Sequence, residues 1–283
     1  MRTYSALLAV RRLVATACGI SKTGIRITPS ISSTQAQTVG EDAYFIAQSN
    51  TSSGFDICGV ADGVGGWREV NVDPARFSRG LMDECARLAQ SGKVTRPSEL
   101  IKAAYEKVTH PTSNSYGGST VCLLSLDKTA GILHTANLGD SGFMLLRNGQ
   151  VLAKSSELQH YFNCPYQLTN LPPNISSAGV IIDSPSSADL KSLEVSNGDV
   201  VVMATDGFFD NVYEEEVRQL MAGLKDHSES SLMSACAEAV RLACTYSNDP
   251  NYRSPFATKM SSRALGGKPD DITVIMAAVC GHG

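Results

Sequence analysis

Residues 55–67 have the sequence Phe-Asp-Ile-Cys-Gly-Val-Ala-Asp-Gly-Val-Gly-Gly-Trp, and the rest of the chain is organised around this stretch. Its apolar run predicts a buried strand that ends at Asp62, and the glycines that follow predict a turn with access to positive φ. Residues 200–207 repeat the design, because an apolar run again leads into an acid, Asp206, and a glycine. Both acids are therefore expected at strand ends, where other groups can approach the backbone closely.

Two further acidic pairs precede apolar runs instead of following them: Glu41-Asp42 and Asp270-Asp271. In antiparallel pairs, the start of one strand lies beside the end of its neighbour. If all four strands belong to antiparallel sheets, their acids gather at one rim, where without basic partners they repel one another. Carboxylate oxygens suit Mg²⁺ or Mn²⁺, and two such ions can activate water for attack on phosphorus. A single Asp-Gly pair is most often only a turn, but the joint pattern predicts a metal site.

The composition is that of a globular protein with an acidic body. The 283 residues carry a net charge of −4, and 42% of them are hydrophobic. Residues 1–40 contain basic side chains and no acidic ones, so the remainder is more acidic still, which argues against nucleic acid as a partner. No apolar stretch reaches the ~18 residues of a membrane span. The eight cysteines form no Cys-x-x-Cys pair, so neither zinc nor a disulfide framework is indicated. We also expect the protein to be a monomer.

The N-terminal residues have a composition of their own. They bear arginine, serine and threonine with scattered apolar residues and no acids, which is typical of a mitochondrial transit peptide. The alternative is a disordered arm. We therefore predict a targeting or disordered segment over residues 1–35, one folded domain over residues 36–283, and a mitochondrial location in the matrix.

Strand and helix patterns predict an α+β fold. Short strands joined by antiparallel turns, such as the hairpin at Asn148-Gly149, alternate with helices that come in separate pairs. Asp73-Pro74 is typical of a helix N-terminus. Residues 155–190 contain four prolines and are expected to be irregular, with a strand near residues 180–182.

The motifs, taken in order, resemble those of the type 2C family of metal-dependent protein serine/threonine phosphatases. They are Asp62-Gly-Val-Gly-Gly66, Gly118-Ser-Thr120, Ala136-Asn-Leu-Gly-Asp-Ser141, Ala204-Thr-Asp-Gly207 and Asp270-Asp-Ile-Thr-Val274. The resemblance covers residues 38–280. Runs that begin at His160, Asp249 and Gly266 resemble the mitochondrial branch of this family.

The resemblance implies two packed antiparallel β-sheets flanked by α-helices, with two Mg²⁺ or Mn²⁺ ions at one rim. Asp62 would bridge both ions and Gly63 would offer its carbonyl oxygen, whereas Asp42 would hold ion-bound waters. Asp140 would correspond to the position of a third, weaker ion. The implied metal site comprises Asp62, Gly63, Asp206, Asp270, Asp42, Glu41 and Asp140, with Asp62, Asp206 and Asp270 as the catalytic carboxylates.

The implied activity is hydrolysis of phosphoserine and phosphothreonine in phosphorylated proteins by a metal-bridging hydroxide. Three positions depart from the family pattern. Val64 replaces a histidine, Gln37 replaces a phosphate-binding arginine, and Gly142 replaces the arginine of a Gly-Asp-Ser-Arg motif. The departures leave open an alternative, a phosphoprotein-binding pseudophosphatase with little turnover. The retained cluster of mutually repelling acids favours the enzyme.

Overall fold

We describe the protein from a computed structural model that covers residues 10–24, 26–30, 35–51 and 54–281, with the backbone alone for residues 26–30. The strands are, in chain order, β1 (Arg11–Ile20), β2 (Arg26–Ser30), β3 (Gln37–Val39), β4 (Asp42–Ala47), β5 (Phe55–Ala61), β6 (Gly117–Ser119), β7 (Val121–Asp127), β8 (Ile132–Leu138), β9 (Gly142–Arg147), β10 (Gln150–Lys154), β11 (Gln159–Tyr161), β12 (Cys164–Pro165), β13 (Leu168–Asn170), β14 (Asp189–Glu194), β15 (Val200–Ala204) and β16 (Ile272–Gly281). The α-helices are α1 (Pro74–Gln90), α2 (Pro97–Val108), α3 (Asp206–Phe209), α4 (Glu214–Ala222), α5 (Glu229–Ser247) and α6 (Pro255–Met260).

Two antiparallel sheets form the centre of the molecule. Within the described residues, one has the strand order β10-β9-β15-β16-β1-β2 and the other has the order β14-β8-β7-β5-β4-β3. Every pairing in both sheets is antiparallel. The α+β prediction of two packed sheets flanked by helices is confirmed.

Three apolar clusters hold these layers together. One lies between the two sheets, one lies between the first sheet and α3–α5, and the third lies between the second sheet and helices α1 and α2. The position of strand β15 between two of these clusters explains why its sequence is continuously apolar. Val201 and Met203 belong to the cluster between the sheets, whereas Val200 and Val202 face the helices. Because both faces of the strand are covered, alternation of polar and apolar residues is lost.

Strand β1 corrects the predicted domain boundary. It pairs with β16 along its whole length, from Arg11 opposite Gly281 to Ile20 opposite Ile272. Its alternate side chains, including Leu13, are buried between the sheets. The interpretation of residues 11–20 as part of a targeting or disordered segment is therefore wrong, because their apolar residues complete the sheet. Residues 1–9 of that predicted segment lie outside the described residues.

The segment over residues 155–190 is largely irregular, as predicted, but it contains no strand at residues 180–182. The carbonyl oxygen of Ile181 instead accepts a hydrogen bond from the Thr169 hydroxyl at 2.9 Å. The long strand of this region comes later, at β14, where it pairs with β8 at the edge of its sheet. Its residues alternate between half-buried and exposed, which is typical of an edge strand.

Candidate metal centre

The predicted gathering of acids at one rim is present. Strands β4 and β5 are antiparallel neighbours, so Glu41 before β4 lies beside Asp62 after β5. Strands β15 and β16 are related in the same way, so Asp206 lies near Asp270. Each sheet thus contributes one strand end and one strand start, and the acids of both sheets face the same cavity.

This cavity has a volume of about 250 Å³. It brings together six of the seven residues predicted for the metal site: Glu41, Asp62, Gly63, Asp140, Asp206 and Asp270. Two lysines, Lys22 and Lys268, line the same cavity. The cavity is therefore an oxygen-rich site with two ammonium groups beside it.

Asp42 is the predicted residue that does not line the cavity. Its side chain is buried, and its Oδ2 accepts hydrogen bonds from the hydroxyls of Thr205 at 2.8 Å and Thr273 at 2.7 Å. These contacts join the start of β4 to the end of β15 and to β16. Burial, followed by the charge of Asp271, raises the pKa of Asp42 well above its ordinary value. Asp42 therefore stabilises the strands that form the cavity wall without lining the cavity itself.

Asp271 fixes the backbone around the cavity. Its Oδ1 accepts a hydrogen bond from the Lys22 amide and its Oδ2 accepts one from the Glu41 amide, both at 2.8 Å. Gly40 lies directly against this carboxylate with φ of 61°, and a Cβ there would approach Asp271 Oδ1 to 2.2 Å. Asp271 belongs to one of the acidic pairs predicted at the rim, but no separate role was predicted for it. The glycine immediately before Glu41 is the signal that could have revealed this close contact.

Gly63 brings its own backbone close to the rim. Its amide donates to the Glu41 carbonyl oxygen at 3.2 Å. A Cβ on Gly63 would lie 2.6 Å from the carbonyl oxygen of Pro74 and 2.8 Å from that of Glu41, so no larger residue fits without a shift of backbone. The Asp62–Gly63 turn can thus line the cavity with main-chain atoms as well as with a carboxylate.

Lys268 is one of two described cationic residues of the cavity that were not predicted from the sequence, and Lys22 is the other. Its Nζ donates to Asp206 and, at 2.8 Å, to Asp210 Oδ2, and it lies 3.8 Å from Asp270 Oδ2. The sequence signals are modest: Lys268 stands two residues before Asp270, and Asp210 stands one helical turn after Asp206. Among the described residues, no three His, Cys, Asp or Glu side chains form a ready ion-binding group, and Lys268 lies between the carboxylates.

The electrostatics of the cluster show uncompensated negative charge. Burial, followed by the charge of Asp206, raises the pKa of Asp62 well above its ordinary value. The same two causes raise the pKa of Asp140 to about 8 and that of Asp270 to about 6. Burial also acts to raise the pKa of Asp206, but the charge and hydrogen bond of Lys268, together with hydrogen bonds from Asp62 and the Gly207 amide, leave that pKa below its ordinary value. One lysine therefore neutralises only part of the cluster.

The cluster fits divalent cations. Oδ1 of Asp206 and Oδ1 of Asp140 are buried and have no hydrogen-bond partner among the described residues. Buried oxygens without partners are rare in folded proteins and call for a ligand. Several carboxylates with raised pKa values around one cavity, all offering oxygen, match the ligand preference of Mg²⁺ and Mn²⁺.

The three departures from the family pattern lie in different places. Val64 lines the cavity, so an apolar side chain stands where the resemblance expects histidine. Gln37 lies in β3 and does not line the cavity. Gly142 begins β9, and a Cβ there would approach Ser155 Oγ to 2.4 Å. These positions contribute neither an acid nor a base to the cavity wall.

A two-sheet sandwich with an oxygen-rich acidic cavity at one rim defines the protein as a candidate metal-dependent hydrolase. Comparison with known proteins narrows this class. The family model described as Stage II sporulation protein E (SpoIIE) matches residues 75–280. The chain is 44% identical over 245 residues to the protein phosphatase PTC7 homolog of Xenopus laevis, covering 85% of this chain and 81% of the relative. It is 42% identical over 245 residues to the Homo sapiens homolog, with coverage of 85% and 79%.

Solved structures agree. The photosystem II phosphatase PBCP is similar with a TM-score of 0.75 and 29% identity, covering 94% of this chain and 98% of that one. The catalytic domain of the serine threonine protein phosphatase PstP, solved with 2 manganese ions, shares the fold at a TM-score of 0.54 and 16% identity, with coverage of 95% and 99%. The chain belongs to the type 2C family of metal-dependent protein serine/threonine phosphatases. The pseudophosphatase alternative is not favoured.

Proposed function

We propose that the chain hydrolyses phosphoserine and phosphothreonine in protein substrates with two Mg²⁺ or Mn²⁺ ions in the acidic cavity. The carboxylates of Asp62, Asp206 and Asp270 and the carbonyl oxygen of Gly63 would hold the ions, and Asp140 would contribute to a third, weaker site. The observation that carries this proposal is the convergence of these residues on one cavity, with buried carboxylate oxygens that lack partners. The two manganese ions of the PstP structure support the number proposed.

The ions, when bound, supply Lewis acidity that lowers the pKa of water and neutralises phosphoryl oxygens. The residues of the chain have their own tasks. Asp62 and Asp140 have raised pKa values, so each carboxyl group holds a proton more readily than usual until a cation is present. These two side chains would therefore release their protons when they hold a cation. Asp42, through its two threonine hydroxyls, keeps the two sheet rims at a fixed separation.

We also propose a mitochondrial location and a monomeric state, and both remain predictions. The arginine-bearing, acid-free N-terminus supports the location. Strand β1 limits this proposal, because removal of the first 35 residues would also remove a strand of the sheet and Lys22. Targeting information should therefore lie before Arg11. Among the described residues no helix combines the length and the apolarity that a membrane span requires.

The test is hydrolysis of a phosphothreonine peptide by the purified full chain, with Mn²⁺, with Mg²⁺ and after chelation. We expect turnover with either ion and none in chelator, and we expect Asp62→Asn to abolish it. A phosphotyrosine peptide tests the substrate class and should be a poor substrate. Undiminished turnover after exhaustive chelation, or none with either ion, would overturn the proposal.

A further inference from the structure

The cavity that gathers the acids also has to admit a phosphate ester. Its carboxylates repel an incoming phosphoryl group, which itself carries negative charge. Of the described residues that line it, the cationic ones are Lys22 and Lys268. A phosphate that binds to side chains of this cavity therefore needs an ammonium group with donors that are not already used.

Lys268 is already engaged. Its ammonium group donates to Asp206 and Asp210 and faces Asp270 at 3.8 Å. Its side chain is only 16% exposed. Two of the three donors of this ammonium group are used in hydrogen bonds to carboxylates, and a further carboxylate lies just beyond hydrogen-bond distance. Lys268 thus neutralises the acids and has little capacity to bind a substrate phosphate.

Lys22 differs in both respects. Its Nζ makes one hydrogen bond, to Glu41 Oε2 at 2.6 Å. Oxygens of Asp270 and Asp271 lie at 3.7 and 3.8 Å, beyond hydrogen-bond distance. Two of its three donors are therefore unused by the described part of the chain. With the side chain 32% exposed, these donors remain accessible from the cavity.

The Lys22 ammonium group is also held in place. The backbone amide of Lys22 donates to Asp271 Oδ1 at 2.8 Å, at the point where the chain leaves β1. Glu41, its side-chain partner, is buried and is bound from its other oxygen by Arg68 Nε at 2.5 Å. A donor fixed in this way loses little conformational freedom when a ligand binds.

We propose that Lys22 is a substrate-binding residue whose Nζ donates hydrogen bonds to the phosphoryl oxygens of the phosphorylated side chain. This inference rests on the proposed function, and it adds a residue from the turn that follows strand β1. A hydrogen bond from an ammonium group to a phosphate oxygen is charge-assisted and stronger than a neutral one. Because it forms in the bound substrate and persists during reaction, its loss should raise KM more than it lowers kcat.

The test compares Lys22→Met, which keeps the length but removes the charge, with Lys22→Arg, which restores a cation. Lys154→Met is the matched control, because Lys154 is 59% exposed and does not line the cavity. Loss of one charge-assisted contact should raise KM for a phosphothreonine peptide and the inhibition constant of inorganic phosphate about 10- to 100-fold in Lys22→Met. Lys22→Arg should recover most of this loss, and Lys154→Met should leave both constants near wild type.

Two measurements separate phosphate binding from a structural role. Calorimetric titration with Mn²⁺ should give Lys22→Met an affinity equal to or higher than wild type, because a positive charge has been removed. In wild type, inorganic phosphate in the presence of Mn²⁺ should protect Lys22 from an amine-reactive reagent, read by mass spectrometry. Lys154, which is 59% exposed and outside the cavity, should not be protected.

The proposal fails if wild type hydrolyses the peptide while Lys22→Met keeps its KM and its phosphate inhibition. It fails equally if phosphate leaves Lys22 as reactive as before, a result that does not depend on any variant folding. Equal losses in Lys22→Met and Lys154→Met would assign the effect to the overall positive charge of the chain and overturn the proposal. An inactive wild type with both ions would instead refute the proposed function itself.

Discussion

Neutralising two acids of the cavity, one at a time, should change the stability of the metal-free protein in opposite directions. Asp206→Asn removes the charge that pairs most closely with Lys268, and this lysine then keeps its hydrogen bond to Asp210 and the more distant carboxylate of Asp270 at 3.8 Å. Asp62→Asn removes a charge that has no cation within ion-pair distance among the described residues. Simple repulsion between the acids would predict stabilisation in both variants.

The magnitude for Asp206→Asn follows from the contact that is lost. A hydrogen bond to a charged group contributes about 1.5–3 kcal/mol, and Lys268 keeps its second partner at 2.8 Å, so the loss should stay in that range. For a chain of this size, about 1 kcal/mol shifts the melting temperature by about 2–4 °C, so we expect a decrease of about 3–12 °C. Asp62→Asn should melt at the wild-type temperature or above it, because the pKa of Asp62 is raised by burial and by Asp206.

The assay is thermal unfolding in chelator at pH 8, followed by circular dichroism, with wild type and both variants in parallel. Both variants should lose nearly all turnover with Mn²⁺, so activity cannot distinguish them, whereas the melting temperatures can. An Asp206→Asn protein as stable as wild type in chelator would refute the ion pair with Lys268. A marked loss of stability in Asp62→Asn would show that Asp62 has a structural role that outweighs the repulsion.

Three further predictions concern the rest of the domain. A chain that begins at residue 34 should fail to fold into a cooperatively melting protein, whereas one that begins at Val10 should fold, because β1 fills the sheet; size-exclusion chromatography and thermal melts test this. In chelator, the melting temperature should fall as the pH rises from about 5 to 9. In the folded state Asp270, with a pKa of about 6, and Asp140, with a pKa of about 8, still bind protons that carboxylates of the unfolded chain have lost. The stability that comes from this proton binding disappears as each proton leaves. Saturating Mn²⁺ should raise the melting temperature and flatten that dependence, and a pH profile unchanged by Mn²⁺ would contradict ion binding at these acids.

The sequence predicted the rim of acids because its signals are local. An apolar run followed by Asp-Gly marks a strand end at Asp62, and the antiparallel rule then places strand starts such as Glu41 beside it. The same local reasoning predicted the hairpin between β9 and β10 and the start of α1 at Pro74, which the structure confirms. Strand polarity was sufficient to locate the site before any tertiary contact was known.

The contacts that the sequence did not predict are those between distant segments. The amide of Lys22 binds a carboxylate 249 residues further along the chain, and no periodicity in either segment signals that pairing. Strand β1 was mistaken for targeting sequence because its arginines and lack of acids are shared by both kinds of segment. Its ten-residue pairing with β16 is a property of the assembled sheet.

The two lysines explain how so acidic a cavity can fold before any ion is bound. Lys268 approaches from the loop before β16 and Lys22 approaches from the end of β1, so the cluster is neutralised from opposite ends of the chain. Even with both lysines present, the pKa of Asp62 stays raised, so the negative charge of the acidic cluster is not fully neutralised. We therefore expect a divalent ion to bind at this uncompensated negative charge. We expect the substrate phosphate to bind Lys22, whose ammonium group makes one hydrogen bond within the described part of the chain. Because Lys22 lies in the turn directly after β1, these separate roles of the two lysines require β1 to be part of the folded enzyme.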